Sequence, residues 1–508
     1  MDDSVKSKRV VKNTIFLYIR MFVALIVSLY TSRVVLDALG VEDFGIYNVV
    51  GGIVVTFSII SGAFSQSTSR FFAFELGRNN EEGIYPLYYN SKSIHLILAI
   101  GVYLITSIIG IYLIENKLVI PESRFYASKI VLYTSIFSFS IKLLTVPNKA
   151  LVIAKESMDF YALTGILEVL LKLIVALLLT RCKYDKLEVY SVLLLLEPII
   201  LFLLYGIYCK RINHRFDFIT HRVDKYTIKK MASFAGWDSL GALERILLDQ
   251  GINILINTFF NPAINAARGV AFQVKNAIVQ FSTSFQVATF PQITKSFAEN
   301  DIEYMHSLIQ RACKFSFFLL LVPIVPLIAY TNQVLSLWLK EVPDHTVLFV
   351  QLSLIYILID SSYEILCQGA KASGEIKKFR VLTCALSLFN LPLSYLALNL
   401  GAEAEITMII SCGIGVLVLF LQLFILKSLI GLNPIKFLKN IAIKCYGVAF
   451  ITIMAAYLSL HYSMPTSLLS LFIMSAIWAS LTVLAIWGLG LDKKERQIII
   501  EFIRKKIL

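Results

Sequence analysis

The fold is decided by residues 12–80, where two long apolar segments meet at the turn Asp37-Ala38-Leu39-Gly40-Val41-Glu42-Asp43-Phe44-Gly45. Each segment is long enough to cross a bilayer, which takes about 20 apolar residues. Each also carries charge, with Arg20 and Arg33 in the first segment and Arg70 ending the second. Because a cation in hydrocarbon costs at least about 2.5–3.5 kcal/mol, both segments are predicted to be membrane helices that face a polar cavity or a partner.

The second segment ends in a hydroxyl- and amide-rich run, Ser61-Gly62-Ala63-Phe64-Ser65-Gln66-Ser67-Thr68-Ser69-Arg70. A similar layout returns later in the chain. One segment there holds Arg245 and Asp249, the next holds Arg268 and Lys275, and a run from Gln280 to Gln286 echoes the first. Such runs suit a wet cavity, and they equally suit close packing between membrane helices.

Composition sets the class of the protein. Of its 508 residues, 57% are hydrophobic and only 16% are charged, and the mean hydropathy is +0.74. A soluble domain is about a quarter charged, so the chain is predicted to be an all-α polytopic membrane protein of about fourteen transmembrane helices. The predicted spans are 13–36, 44–70, 84–114, 125–148, 157–180, 187–209, 231–258, 262–292, 304–330, 346–370, 378–399, 404–427, 437–460 and 466–490.

Lysine and arginine are concentrated at both termini and in every second connection. The positive-inside rule therefore places both termini in the cytoplasm. This placement accounts for the net charge of +13 without a nucleic-acid partner. The seven cysteines are odd in number and include no CxxC, so neither a disulfide framework nor a metal site is predicted.

The longest basic connection runs from Lys210 to Lys230 and is predicted to link two halves of the chain. The predicted divisions are an N-terminal lobe (1–220, helices 1–6), a C-terminal lobe (221–430, helices 7–12), and two additional helices with a basic cytoplasmic tail (431–508).

The turn Leu39-Gly40-Val41-Glu42-Asp43-Phe44-Gly45-Ile46-Tyr47-Asn48 resembles the "LG-x-x-x-F/Y-G-x-Y" turn between the first two helices of bacterial polysaccharide flippases. These form the O-antigen/exopolysaccharide (Wzx-like) branch of the MOP superfamily, which also contains the MATE drug exporters and the lipid II flippase. The corresponding turn from Phe260 to Arg268 is a looser match, because Asn265 and Ala267 replace the expected Gly and Tyr.

The resemblance implies two six-helix lobes in a V around a cationic central cavity, with two extra helices. It implies a flippase that moves undecaprenyl-diphosphate-linked oligosaccharides across the bacterial inner membrane by alternating access. The products would be O-antigen, capsule or exopolysaccharide. It also implies coupling to a Na⁺ or H⁺ gradient with no other cofactor, and polymerase and chain-length proteins as partners.

The residues agree with a lipid-linked sugar diphosphate, since arginine binds phosphate bidentately and stays charged when partly desolvated. The predicted cavity residues are Arg20, Arg70, Arg245, Arg268 and Lys275 for the diphosphate, Gln66, Ser69 and Gln286 for sugars, and Asp249, Asp360 and Glu364 for ion coupling. Structural roles stay open for several of them. Arg245 could pair with Asp249 one helical turn away, Arg70 could extend to headgroups, and Asp360 and Glu364 could pair with basic neighbours.

Other functions fit less well. The sequence has no P-loop, HExxH or GxSxG motif, so an enzyme is not expected. A membrane glycosyltransferase or polymerase is disfavoured because the predicted outer connections are short. A MATE-type exporter of cations would favour an acidic cavity. A lipid II flippase stays open, because charge does not distinguish one lipid diphosphate from another.

Overall fold

The computed structural model describes residues 3–55, 58–116, 120–212, 224–260, 262–339, 342–459, 465, 467–493, 495–497 and 500. Within these ranges every regular element is a helix and no strand is present, which confirms the all-α prediction. The predicted boundary at residue 220 and most of the basic C-terminal tail lie outside these ranges.

The chain divides into two compact units, Lys12–Ser239 (the N-unit) and Leu240–Leu508 together with Met1–Val11 (the C-unit). The boundary falls inside one long helix, α8. The helices up to that point are α1 (Asp3–Val55), α2 (Ser58–Gly77), α3 (Glu81–Asn116), α4 (Phe125–Ala154), α5 (Met158–Thr180), α6 (Lys186–Leu193), α7 (Leu196–Ile212) and α8 (Lys225–Phe259). A short 3₁₀ turn, Glu122–Arg124, precedes α4.

The C-unit continues with helices of more varied length. They are α9 (Pro262–Ala298), α10 (Ile302–Ala329), α11 (Thr331–Trp338), α12 (Thr346–Asp360), α13 (Tyr363–Ser373), α14 (Ile376–Leu388), α15 (Asn390–Asn399), α16 (Ile406–Ile430), α17 (Pro434–Phe437), α18 (Ile443–Ser459) and α19 (Leu468–Ala485). Two π-helical segments, Leu438–Ala442 and Ile486–Gly490, adjoin α18 and α19.

The predicted turn near residue 40 is a break at a single residue of α1. Gly40 has φ 78° and ψ 169°, while the residues on both sides are helical. This region of backbone space is almost exclusive to glycine, because a Cβ collides with the backbone there. Gly40 therefore divides α1 into two helical halves, and the first apolar stretch ends at the same residue, Asn13–Gly40.

Eleven of the described helical stretches are long and apolar enough to cross a membrane. They correspond to eleven of the fourteen predicted spans. The other three predicted spans, 44–70, 231–258 and 262–292, lie in the second half of α1 with α2, in α8 and in α9. These segments carry the polar runs and several of the predicted cavity charges. Their lower hydropathy agrees with the polar faces that the sequence predicts for them.

Each unit is organised around a central helix. In the N-unit, α4 packs against α2, α3, α5, α6 and α7. In the C-unit, α10 packs against α9 and also against α18 and α19, so the two last helices are part of this unit's packing. The side chain of Lys314 on α10 is 1% exposed, and it forms ion pairs with Asp492 (3.2 Å) and Glu495 (2.7 Å) after the end of α19.

Candidate functional site: a charged cavity in each unit

Each unit contains a cavity of about 310 Å³ whose lining includes several charged side chains. The Arg20 cavity lies in the N-unit between α1, α2, α4, α5 and α7. The Arg245 cavity lies in the C-unit between α8, α9, α12, α14 and α16. Both are built from helices that must expose polar groups, and an ionisable side chain inside a membrane bundle is a functional candidate by default.

Arg20 lies against the fifth helix of its own unit. Its guanidinium carbon is 4.5 Å from the ring centroid of Tyr161. Room for the side chain exists because residue 165 is a glycine: a Cβ there would overlap Nε of Arg20. Among the described residues no carboxylate lies within ion-pair distance of this arginine. Its contact with Tyr161 is a cation–π interaction, worth about 0.5–2 kcal/mol depending on desolvation.

The other charges of the Arg20 cavity come from α4, α5 and α7. Lys149 lies 5.4 Å from the centroid of the same Tyr161 ring. Lys142 forms an ion pair with Glu197 (3.0 Å). Glu168 forms one with Lys172 (2.7 Å), as the helical spacing of four residues predicts. Three cations and two carboxylates therefore line this cavity, and two of the cations face a tyrosine instead of a carboxylate.

Hydroxyl groups complete the lining of the Arg20 cavity. Ser61 and Ser65, one turn apart on α2, line it together with Thr145. Thr164 and Tyr205 also line it and share a hydrogen bond of 2.8 Å between their hydroxyl oxygens. The cavity thus combines fixed positive charge with groups that donate and accept hydrogen bonds.

The Arg245 cavity is charge-balanced. Its lining includes three cations, Arg245, Arg268 and Lys275, and three carboxylates, Glu244, Asp249 and Asp360. The side chain of Arg245 is 50% exposed, and its Nη2 donates to Oε1 of Glu364 at 2.7 Å. Its partner is therefore on α13, and the alternative pairing with Asp249 on its own helix is not formed.

Asp249 is instead the partner of Arg268. The Nη2 atom of Arg268 lies 3.2 Å from Oδ1 of Asp249, and its Nη1 atom donates to the side-chain oxygen of Asn253. Arg268 is buried, with 9% of its side chain exposed. This ion pair joins α8 to α9. Removing either partner would be destabilising, because it would leave an uncompensated charge in the interior.

Lys275 and Asp360 are held differently. The ammonium of Lys275 lies 4.8 Å from the ring centroid of Phe272 and 5.8 Å from that of Tyr356. Asp360 lines the cavity at the end of α12, and among the described residues it forms no ion pair. Glu364 belongs to the next helix, α13, so the two acids lie on different helices, although both fall within the predicted span 346–370.

Gln286 is buried and lies outside the lining of the Arg245 cavity. Its amide donates to the hydroxyl oxygens of Ser282 (2.8 Å) and Ser316 (3.2 Å). The hydroxyl of Ser316 in turn donates to the backbone oxygen of Ser361 (3.3 Å) in the gap between α12 and α13. The structure thus places Gln286 in a polar contact between helices.

The remaining predicted residues of the N-unit also lie outside its cavity lining. Arg70 is buried among aromatic rings, 4.9 Å from the centroid of Phe71 and 5.4 Å from that of Phe234. Gln66 is exposed and Ser69 is half-buried. In the same run, Ser67 donates to the backbone oxygen of Met231 at 3.1 Å, so one face of this run lines the cavity and another joins helices.

Sequence reasoning missed several lining residues, among them Lys142, Lys149, Tyr161, Glu168 and Glu197. Lys142 lies near the end of the predicted span 125–148, whereas α4 continues to Ala154. A periodicity in α4 could have identified this face, since its polar residues recur every three or four positions. Among the described residues, no group of three His, Cys, Asp or Glu side chains could hold a metal ion.

Comparisons with known proteins give the fold. No protein-family model and no curated protein matches the sequence. Among solved structures, MATE in the bent conformation matches with TM-score 0.71 and 14% identity over 84% of this chain and 98% of that one. An outward-facing multidrug resistance MATE family transporter of the MOP superfamily matches with TM-score 0.69 and 14% identity, over 84% and 97% of the two chains.

A third structure is a MOP superfamily transporter from Pyrococcus furiosus, for which a binding pocket of reverse polarity suggests a different function. It matches with TM-score 0.69 and 14% identity over 85% of this chain and 96% of that one. With these three structures, the likeness extends over nearly the whole of the solved chains. The protein therefore has the fold of the MATE transporters of the MOP superfamily.

Proposed function

We propose that this protein exports undecaprenyl-diphosphate-linked oligosaccharide repeat units across the bacterial inner membrane, for the assembly of O-antigen, capsule or exopolysaccharide. The fold and the eleven helices that could cross a membrane support a multi-pass membrane exporter. The substrate is inferred from the chemistry of the N-unit cavity, and lipid II is a second lipid diphosphate that this chemistry would accept.

The observation that carries the proposal is the pair of cations at Tyr161. Arg20 and Lys149 approach this ring at 4.5 and 5.4 Å, and among the described residues neither has a carboxylate within ion-pair distance. An anion that enters the cavity therefore has no internal carboxylate to displace from these two groups. Charge-assisted hydrogen bonds to phosphate are roughly twice as strong as neutral ones.

The Arg245 cavity is proposed to serve coupling to an ion gradient. Asp360 lines this cavity without an ion pair among the described residues, and Asp249 and Glu364 hold the two arginines beside it. A cation or proton that bound Asp360 would change the charge balance of the whole group. Partner polymerase and chain-length proteins remain part of the proposal on family resemblance alone.

The test is polysaccharide export in cells. Arg20→Ala and Lys149→Ala are compared with Arg33→Ala, a control that removes an exposed cation from α1. We expect the first two variants to lower surface polysaccharide and to accumulate the lipid-linked intermediate at unchanged membrane levels of the protein. The control should export normally. Normal export by a well-expressed Arg20→Ala, Lys149→Ala double variant would overturn the assignment.

A MATE-type exporter of cationic compounds is a second candidate, favoured by the three carboxylates and three aromatic side chains of the Arg245 cavity, Glu244, Asp249, Asp360, Phe272, Tyr356 and Tyr363. Aromatic faces and carboxylates attract organic cations. Ethidium efflux from cells distinguishes the two functions. Efflux that is lost in Asp360→Asn and retained in Arg20→Ala would favour the cation exporter, and absence of efflux would favour the flippase.

A further inference from the structure

A second cavity of the N-unit, the Tyr47 cavity, adjoins the Arg20 cavity and has a volume of about 210 Å³. Its lining combines Lys142, Lys172 and Glu197 with six hydroxyl-bearing side chains, Tyr47, Thr134, Ser135, Ser138, Tyr190 and Ser191. The remaining lining residue is Leu194. Because polar groups inside a membrane bundle need partners, such a lining indicates a site for a polar ligand.

Four of the six hydroxyl groups are available to a ligand. The other two, on Thr134 and Ser191, donate to backbone oxygens of their own helices at 2.8 Å. The four that form no hydrogen bond with any described residue belong to Tyr47, Ser135, Ser138 and Tyr190. Each of these can donate one hydrogen bond and also accept.

Glu197 supplies a buried acceptor to the same cavity. Its side chain is 3% exposed, and Oε2 lies 3.0 Å from Nζ of Lys142. Its other oxygen, Oε1, is buried and has no hydrogen-bond partner among the described residues. A buried carboxylate oxygen without a partner costs free energy, and a ligand hydroxyl that donates to it removes this cost. The cavity therefore fits a ligand that carries hydroxyl donors.

The ammonium groups of the Tyr47 cavity are already paired. Lys142 is held by Glu197 at 3.0 Å, and Lys172 is held by Glu168 at 2.7 Å. An anionic ligand has to compete with these carboxylates, whereas a neutral hydroxyl accepts from the remaining ammonium protons. The lining thus favours an uncharged ligand with several hydroxyl groups.

Two aromatic rings shape the cavity. Tyr47 and Tyr190 meet edge to face, with ring centroids 5.0 Å apart and planes at 63°. Each tyrosine presents an apolar ring and a polar tip. A pyranose has the same combination, with C–H groups on its faces and hydroxyl groups at its edge. The volume of about 210 Å³ is below the roughly 300–1,000 Å³ of pockets for drug-sized ligands, so it suits one ring and not an oligosaccharide.

The Tyr47 cavity is placed beside the anion site proposed above. Lys142 and Glu197 line both cavities. On α4, Ser138 lies one turn before Lys142, and Lys149 lies two turns after it, so one face of this helix serves both cavities along about 16 Å. A group bonded to a diphosphate at Arg20 and Lys149 therefore has the Tyr47 cavity next to it.

We propose that the Tyr47 cavity binds a single uncharged sugar ring, with Oε1 of Glu197 accepting from one ring hydroxyl and Ser135 and Ser138 bonding to others. The inference rests on the proposed function for the origin of the ring, which is the sugar attached to the diphosphate of a lipid-linked repeat unit. The cavity is then a specificity site, because a lipid diphosphate with this sugar binds more tightly than one without it.

The first experiment needs no diphosphate. Saturation-transfer difference NMR follows methyl α-glucoside, methyl α-galactoside and N-acetylglucosamine with the protein in nanodiscs, because maltoside detergents carry sugars of their own. We expect a signal from at least one of these neutral sugars and a weaker signal from methyl glucuronide, whose carboxylate meets charges that are already paired. Absence of signal from every neutral sugar overturns the site. A stronger signal from the glucuronide overturns its neutral character.

Variants locate the signal in the cavity. The double variant Ser135→Ala, Ser138→Ala removes two hydroxyl groups and should lower the signal about twofold or more. Ser138→Leu fills the cavity with side-chain atoms and should abolish the signal. The control is Ser140→Ala on the same helix, outside both linings, where the hydroxyl donates to the backbone oxygen of Ile136 at 2.9 Å. Full signal in Ser138→Leu places the sugar elsewhere and overturns the proposal.

The second experiment tests the link to the diphosphate. Titration calorimetry compares farnesyl diphosphate with farnesyl diphosphate that carries, on its terminal phosphate, the sugar with the strongest signal. The wild type should bind the sugar-bearing probe about five- to tenfold more tightly, as a few added hydrogen bonds imply. Ser138→Leu should bind the two probes equally, and Ser140→Ala should behave as the wild type.

The outcomes separate the sugar site from the proposed function. Equal affinity of the wild type for the two farnesyl probes overturns the placement of the sugar beside the diphosphate. If the wild type binds the free sugars but neither farnesyl probe, the sugar site stands and the proposed export of a lipid diphosphate is wrong.

Discussion

The two cavities have similar volumes of about 310 Å³ and differ in what holds their arginines. In the Arg20 cavity, Arg20 faces an aromatic ring, and the two carboxylates of the lining pair with lysines, Glu168 with Lys172 and Glu197 with Lys142. In the Arg245 cavity, both arginines are held by carboxylates, Arg245 by Glu364 and Arg268 by Asp249. A charge held by a counter-charge supports the packing of helices, whereas a charge without one is available to a ligand. This contrast supports the proposal that the anion binds in the N-unit cavity, and it gives the ion pairs of the C-unit cavity a role in packing.

The largest effect expected from this contrast is on stability. Asp249→Ala leaves Arg268, 9% exposed, without its carboxylate. Breaking a buried pair costs about 3–5 kcal/mol, and we expect about 3 kcal/mol because Asp249 itself is partly exposed. Glu168→Ala in the N-unit leaves Lys172, which is 35% exposed, and should cost under about 1 kcal/mol. Thermal unfolding of both purified variants measures the difference, and equal losses would remove the distinction between the cavities.

The next effect concerns binding. Arg20→Ala should weaken farnesyl diphosphate by roughly 10- to 100-fold, since a hydrogen bond to a charged group contributes about 1.5–3 kcal/mol. Arg245→Ala should weaken it by about threefold or less, because Glu364 already occupies its guanidinium at 2.7 Å. Calorimetric titration of the two variants gives both values. The reverse order would place the anion in the C-unit.

The sequence predicted which segments carry charged faces. The prediction follows from the free-energy cost of placing a charged side chain in lipid. Arg20, Arg245, Arg268 and Lys275 stand in otherwise apolar runs, and all four line cavities. The same argument applied to Arg70 located a buried cation, but the structure surrounds it with aromatic rings. The cost of a charge in lipid predicts that the side chain is turned away from lipid, but it does not predict which residues surround that side chain.

The partners of these charges could not be predicted from spacing. Asp249 is one turn from Arg245, yet each pairs with a residue of another helix, Asp249 with Arg268 and Arg245 with Glu364. Pairs within one helix contribute only about 0.2–0.5 kcal/mol, so tertiary neighbours in a tight bundle override them. Glu168 and Lys172 keep their local pairing.

A third prediction concerns the space beside Gly165 that Arg20 occupies. Gly165→Ala places a methyl group on Nε of Arg20 and forces the side chain away from Tyr161. Overpacking of this kind typically costs 1–3 kcal/mol, and we expect farnesyl diphosphate binding to fall about five- to tenfold. The control is Gly62→Ala, which lies in the same cavity lining and meets no atom within 4 Å. A loss shared by both variants would indicate general disturbance of the cavity.

In the C-unit, Gly241 makes room for Arg380 as Gly165 makes room for Arg20, so the same substitution can be compared in both units. At Gly241 on α8, a Cβ would overlap the guanidinium of Arg380, which donates to the hydroxyl of Tyr363 at 3.1 Å. Arg380 is buried and does not belong to the cavity lining. Gly241→Ala should therefore lower the unfolding temperature with less than a twofold change in diphosphate binding. Loss of binding in this variant would show that the C-unit also holds the anion.

The smallest expected effect is on the pH dependence of stability. Each unit has a carboxylate just outside its predicted spans, and the two differ in what lowers their pKa. The pKa of Asp185 is lowered: burial raises it, and hydrogen bonds from the backbone of Glu188 and from Arg124 lower it by more. The pKa of Asp492 is also lowered, chiefly by the hydrogen bond from Lys444 at 2.5 Å. Asp185 is a helix cap, whereas Asp492 depends on side-chain ammonium groups.

Asp492 therefore contributes stability with a definite sign. Because its pKa in the folded protein lies below the ordinary value of 3.8, its contribution is complete above about pH 5 and is lost as the pH falls below 4. The contribution is under about 1 kcal/mol, since the carboxylate is 55% exposed. Asp492→Asn should lower the unfolding temperature slightly at pH 7, and the gap to the wild type should narrow as the pH falls below 4. A gap that does not narrow as the pH falls below 4 would mean that the amide disturbs packing around Lys314, the buried cation that the same carboxylate shares with Glu495. In that case, side-chain packing as well as ion pairing would hold the C-terminal helices against α10.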